Sequence, residues 1–111
     1  MRLLQRNEDI YDSYINANYI NSSCARNDQQ FIATQGPLQS TTENFWRMID
    51  QEQVQLIVML TACKEHGKTK CDLYWPCEVG DSLDYDEGSL TVNLVSVESL
   101  MPNLIKRKLL V

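Results

Sequence analysis

Residues Gln55 to Pro76, QLIVMLTACKEHGKTKCDLYWP, constrain the fold more than any other stretch. Gln55–Thr61 is almost wholly apolar, Cys63–Thr69 is polar with a central glycine, and Lys70–Trp75 alternates before Pro76 closes it. An apolar run of this length followed by turn residues reads as a buried strand. The segment therefore predicts a buried strand, a projecting charged loop and a second strand, with the first strand at the centre of the core. Loops carried on a rigid strand are where polar chemistry concentrates, so Cys63–Thr69 is the first place to look for function.

The chain of 111 residues is of a size for one small domain, and 43% apolar residues suffice for a core. No run approaches the roughly 20 apolar residues that span a bilayer. The opening MRLLQRNEDI lacks the apolar centre of a secretory signal, so the expectation is a soluble, cytoplasmic chain with no membrane segment. In that setting Asn21-Ser22-Ser23, though it matches a glycosylation acceptor, carries no meaning, and the four cysteines, Cys24, Cys63, Cys71 and Cys77, are free thiols. A net charge of −5 gives nucleic-acid binding no electrostatic support. The basic residues gather at Lys64, Lys68 and Lys70 and at Lys106-Arg107-Lys108, and the acidic run between Glu78 and Glu87 reads as a solvated turn.

In chain order, Met1–Ser13 reads as an irregular arm, Tyr14–Ile20 as a strand weakened by Asn16 and Asn18, and residues 21–30 as a loop. Phe31–Thr34 is a short strand stopped by Gln35-Gly36-Pro37. A helix begins at Ser40, whose spacing to Glu43 is that of a capping box, or one residue later at Thr41, and ends near Gln53. Phe45, Met48 and Ile49 share its apolar face, with Trp46 beside them. Asp81–Gly88 reads as a turn, Ser89–Glu98 as a half-buried strand with Leu90, Val92 and Leu94 inward, Ser99–Asn103 as a turn, and Leu104–Val111 as a further strand. The class is α+β.

Five segments, in order, resemble the classical protein tyrosine phosphatases. YINANYI (14–20) resembles that family's Asp-Tyr-Ile-Asn-Ala strand, and FIATQGP (31–37) its Tyr-Ile-Ala-x-Gln-Gly-Pro segment. NFWRMI (44–49) resembles its Phe-Trp-x-Met helix; IVMLT and KCDLYWP follow in register. The resemblance implies a highly twisted mixed β-sheet with a flanking helix, of which this chain holds the N-terminal part. Asn16, Gln35, Gly36, Pro37, Trp46, Tyr74, Trp75 and Pro76 are then structural motif positions. Glu65 and Lys70 match the paired charges of the family's Glu loop, which steadies the catalytic arginine. Two departures stand out: Ser13 replaces an Asp, and Asp50 replaces a second Trp and is expected to face water rather than be buried unpaired.

The family hydrolyses phosphotyrosine in proteins, without metal or cofactor, through a cysteine thiolate with an arginine six positions on. Six positions after the four cysteines stand Gln30, Thr69, Cys77 and Leu83. The only Trp-Pro pair, Trp75-Pro76, is followed by Cys77 rather than Asp, and the family's Lys-Asn-Arg-Tyr substrate clamp does not occur. The expectation is a chain inactive by itself, whose partners are the rest of a phosphatase domain or another protein; the alternative is a truncated or pseudo-phosphatase acting as an interaction module. A half domain leaves apolar surface uncovered, so a marginally stable chain is expected.

Ordinary readings stand beside these. Glu65 with Lys70 can be a plain surface pair, the aromatic residues are packing groups, Cys71 a small buried hydrophobe and His66 a solvated loop residue. Cys63, His66, Cys71 and Cys77 have spacings close to a zinc knuckle, but Cys71 and Cys77 flank an extended Trp-Pro segment.

Overall fold

The computed structural model describes residues 1–3, 14–21 and 30–111. Residues 4–13 of the expected arm and 22–29 of the expected loop, Cys24 among them, lie outside the described residues. The chain divides into two compact units, Met1–Asp72 and Leu73–Val111. The elements are α+β, with one α-helix and pairings that are all antiparallel among the described residues.

In the first unit, strand β1 (Ala17–Asn21) pairs with β2 (Gln30–Thr34), from Ala17 opposite Thr34 to Asn21 opposite Gln30. Helix α1 (Thr42–Gln51) follows the Gly-Pro turn. Its start is one or two residues later than the capping-box reading places it, and Thr41 is the cap residue, with no side-chain bond to the first turn. Its hydroxyl instead accepts the Leu38 N–H at 2.9 Å, and Thr42 Oγ1 donates to the Leu38 carbonyl at 2.8 Å. These bonds fix the turn before the helix, so the threonines displace Ser40 from that role. Phe45, Trp46, Met48 and Ile49 are buried, Trp46 completely at 0% exposure. The Phe45 and Trp46 rings meet edge to face at 5.4 Å, a favoured aromatic geometry. Asp50 faces solvent, as expected.

The helix ends in a Schellman motif. Val54 N–H donates to the Ile49 carbonyl at 3.0 Å and Gln53 N–H to that of Asp50 at 3.2 Å. The residue between helix and exit, Gln53, has φ 52°, a left-handed position usually given to glycine. Its side-chain Nε2 also donates to the Asp50 carbonyl, at 2.6 Å.

The expected central strand is not formed. Residues 54–60 have no regular structure, and Leu56 and Leu60 are 78% and 90% exposed. A strand apolar on both faces belongs inside a sheet, where neighbours at each edge take up its N–H and C=O groups. No strand among the described residues pairs with it, so apolarity alone does not make it one. Lys70–Trp75 is likewise not a strand. Its amides are spent elsewhere: Lys70 and Cys71 N–H both donate to the Cys63 carbonyl, at 2.9 and 3.3 Å, and Asp72 N–H to that of Pro37 at 2.7 Å.

In the second unit, β5 (Ser82–Tyr85), β6 (Leu90–Met101) and β7 (Leu104–Leu110) form a three-stranded sheet in chain order. Residues 82–85, read from sequence as part of a turn, are thus a strand; Thr91 Oγ1 donates to Asp84 Oδ1 across the pair at 2.8 Å. Strand β6 runs on to Met101, past the expected end at Glu98, and turns at Pro102-Asn103 into β7. Leu90, Val92 and Leu94 are buried, as their alternation predicts. The alternation stops at a register shift between Leu94 and Ser96, after which β6 is exposed.

Candidate functional site

The polar segment Cys63–Thr69 is a minute hairpin rather than an open loop. Strand β3 (Lys64–Glu65) pairs with β4 (Lys68–Thr69), joined by His66-Gly67. Both turn residues have positive φ, 52° and 75°, the pattern of a type I′ turn, whose twist suits a two-residue hairpin. His66 is exposed, as expected. The Glu65 side chain is half-buried and turns back on its own base, where its Oε1 accepts the Ala62 N–H at 3.4 Å. Lys70 is exposed.

A second cluster ties this hairpin to the Gln-Gly-Pro segment. Asn16 Nδ2 donates to Gln35 Oε1 at 3.1 Å, and Thr34 Oγ1 donates to the Asn16 carbonyl at 3.1 Å. Pro37 is buried, and its carbonyl takes the Asp72 amide. Between them, Gly36 lies directly against Cys71, the buried thiol that follows Lys70. The sequence motif residues Asn16, Gln35, Gly36 and Pro37 are therefore gathered into one bonded corner. Cys71 is 1% exposed, in keeping with its reading as a small hydrophobe; burial pushes its thiol pKa up, with the nearby Cys63 and Asp72 adding to the rise.

In the second unit, Tyr74 and Pro76 are buried and Trp75 half-buried. The Tyr74 and Trp75 rings stand at 90° with centroids 4.8 Å apart. Arg107 of β7 lays its guanidinium over the Trp75 ring, 4.7 Å from the centroid. This cation–π contact was not legible in the sequence, where Arg107 is one of three consecutive cations separated from Trp75 by 32 positions. Arg47 was also missed: it lies among apolar helix residues yet is buried, with its Nη1 donating to Asn44 Oδ1 at 3.0 Å. No group of three or more His, Cys, Asp or Glu side chains arranged to hold a metal occurs among the described residues.

The model of the family described as protein-tyrosine phosphatase matches residues 2–111. The chain belongs to that family. It is 47% identical over 91 residues to the receptor-type tyrosine-protein phosphatase eta of Mus musculus, a match covering 82% of this chain and 7% of that protein. It is 43% identical over 103 residues to the receptor-type tyrosine-protein phosphatase H of Homo sapiens, covering 93% of this chain and 9% of that protein. A third relative, the receptor-type tyrosine-protein phosphatase V of Rattus norvegicus, is 40% identical over 98 residues, 88% of this chain and 5% of its own length. The chain thus spans less than a tenth of the relatives it matches.

Proposed function

We propose that these residues serve as the supporting half of a catalytic domain that hydrolyses phosphotyrosine in proteins, and that they carry no hydrolytic activity alone. The observation behind the reading is the family match across residues 2–111 combined with cysteines that have no arginine six positions on. Transfer of a phosphoryl group to a thiolate needs backbone N–H groups and a guanidinium around the transferring oxygens. Nothing in the 111 residues supplies that loop. The working environment in this reading is the cytoplasm, where thiols stay reduced.

Within the reading, the β3–β4 hairpin is the supporting element. Glu65, held at the hairpin base, offers a carboxylate to a guanidinium supplied by residues beyond these, and Lys70 offers its charge to the segment bearing the general acid. Asn16, Gln35, Gly36 and Pro37 hold the hairpin in place from beneath, while Trp46, Tyr74, Trp75 and Pro76 are packing groups. Aryl phosphate hydrolysis by the purified chain is the test. The expected result is none above background, and turnover that persists with all four cysteines changed to serine would overturn the thiolate account. In a chain whose reading frame continues to a His-Cys-x5-Arg loop, Glu65→Ala is expected to lower kcat while leaving KM nearly unchanged.

A second reading is favoured by the exposed apolar segment Leu56–Leu60: an interaction module that binds a protein rather than completing an enzyme. A transcript that stops at Val111 supports it; one that encodes an acid loop and a cysteine loop downstream supports the enzyme.

A further inference from the structure

Cys63 and Cys71 flank the β3–β4 hairpin, and an irregularity in its base sets their relation. Both Lys70 and Cys71 donate their N–H to the one carbonyl of Cys63. Two residues opposed to one is the arrangement of a β-bulge. In a regular ladder Cys63 would face Lys70, and Cys71, next along, would project from the opposite face. A bulge re-aims side chains, and on this arrangement Cys71 is turned toward the face that Cys63 occupies. Backbones joined by such a contact lie about 5 Å apart, inside the roughly 4.4–6.8 Å between Cα atoms that a disulfide requires. The Cys63 thiol also adds to the upward push on the Cys71 thiol, so the two lie within electrostatic range of each other. Both residues are reduced here; Cys63 is half-buried and Cys71 buried.

We propose that Cys63 and Cys71 form a reversible disulfide under peroxide, closing the hairpin into a ring. Cys63 is the more accessible sulfur and reacts first. Its thiolate attacks the O–O bond of hydrogen peroxide, giving a sulfenic acid and a hydroxide that leaves as water with the thiol's proton. The sulfur of Cys71 then attacks the Cys63 sulfur, and the sulfenic oxygen departs as water with the Cys71 proton. Two thiols and one peroxide become one disulfide and two waters. A χ1 rotation of Cys71 exchanges its weak S–H bond to the Asp72 carbonyl, at 3.3 Å, for the S–S bond. The ring locks the hairpin that carries Glu65, which makes the bridge a redox-sensitive modification of the supporting element.

Peptide mapping of the intact chain tests this. The protein is treated with hydrogen peroxide, its remaining thiols are alkylated, and it is cleaved without reduction by trypsin and by chymotrypsin, the latter after Tyr74. That cleavage separates Cys63, Cys71 and Cys77. The expected product is a Cys63–Cys71 linked pair two hydrogens lighter than the separate peptides, lost on adding dithiothreitol. It should form equally in the Cys24→Ser/Cys77→Ser double variant, which leaves both partners in place. Linkage of Cys71 to Cys24 or Cys77, a link only between chains, or sulfinic and sulfonic acids with no link would each overturn the proposal.

Discussion

A Cβ placed on Gly36 would stand 2.9 Å from the Cβ of Cys71 and 3.1 Å from the carbonyl oxygen of Lys70. The glycine is therefore needed for clearance, not for a left-handed backbone. Because one of the atoms met is backbone, the strain cannot be relieved by a side-chain rotation alone. Gly36→Ala should cost about 1–3 kcal/mol, the usual range for overpacking, measured by denaturant unfolding. Adding Cys71→Gly should recover part of that loss, since it removes the nearer contact and leaves the Lys70 carbonyl. No recovery would mean that the backbone contact alone sets the cost.

Stability should also fall at alkaline pH through Cys71. Its thiol pKa is raised in the folded chain above the ordinary value of 9.0, first by burial and then by Cys63 and Asp72. The folded state therefore holds this proton more tightly than the unfolded state does. Stability from this group is fully present below the unfolded pKa and declines as pH rises through it toward the folded value. The unfolding free energy should fall less steeply above about pH 9 in Cys71→Ala than in the unaltered chain. Parallel slopes would sink the assignment.

The exit of the helix offers a gain instead of a loss. Gln53 occupies the left-handed position of the Schellman motif, at φ 52°, where a Cβ costs on the order of 1 kcal/mol. Gln53→Gly should stabilise the chain by about 0.5–1 kcal/mol, the relief of strain exceeding the loss of the exposed Nε2 bond to Asp50. An upward shift of the thermal midpoint checks it.

What the sequence made legible was local. The α1 face carried by Phe45, Met48 and Ile49, the inward set Leu90, Val92 and Leu94, and the β6–β7 turn at Pro102 follow from periodicity and turn chemistry within a few residues, and all appear in the structure. Ser82–Tyr85 was missed because its acidic residues suit a turn, while its pairing with Thr91 and Leu90 is decided across the sheet. The double donation of the Lys70 and Cys71 amides to the Cys63 carbonyl was illegible for the same reason: it depends on which carbonyl two successive amides share. The motif segments around Asn16 and Gln35 were found as family resemblance, and the bond between those two side chains gives the pairing a physical content that no spacing reveals.

Gln55–Thr61 is the largest departure, and it yields the sharpest measurement. Its apolar run predicts the most protected strand in the chain, yet Leu56, Val58 and Leu60 are exposed and the segment has no strand partner among the described residues. Amides without ladder bonds exchange freely, whereas those in a paired strand exchange only on opening. In native-state hydrogen exchange, the amides of Leu56–Leu60 should exchange far faster than those of Val92 and Leu94 in β6, which is paired on both sides. Leu60→Lys should leave unfolding stability within about 0.5 kcal/mol, as befits an exposed position, and reduce self-association by breaking an exposed apolar patch. If Leu60→Lys instead costs the 2–5 kcal/mol typical of a disrupted core, or if the Leu56–Leu60 amides are as protected as those of β6, the segment is a buried strand in solution and the sequence-based expectation is right after all.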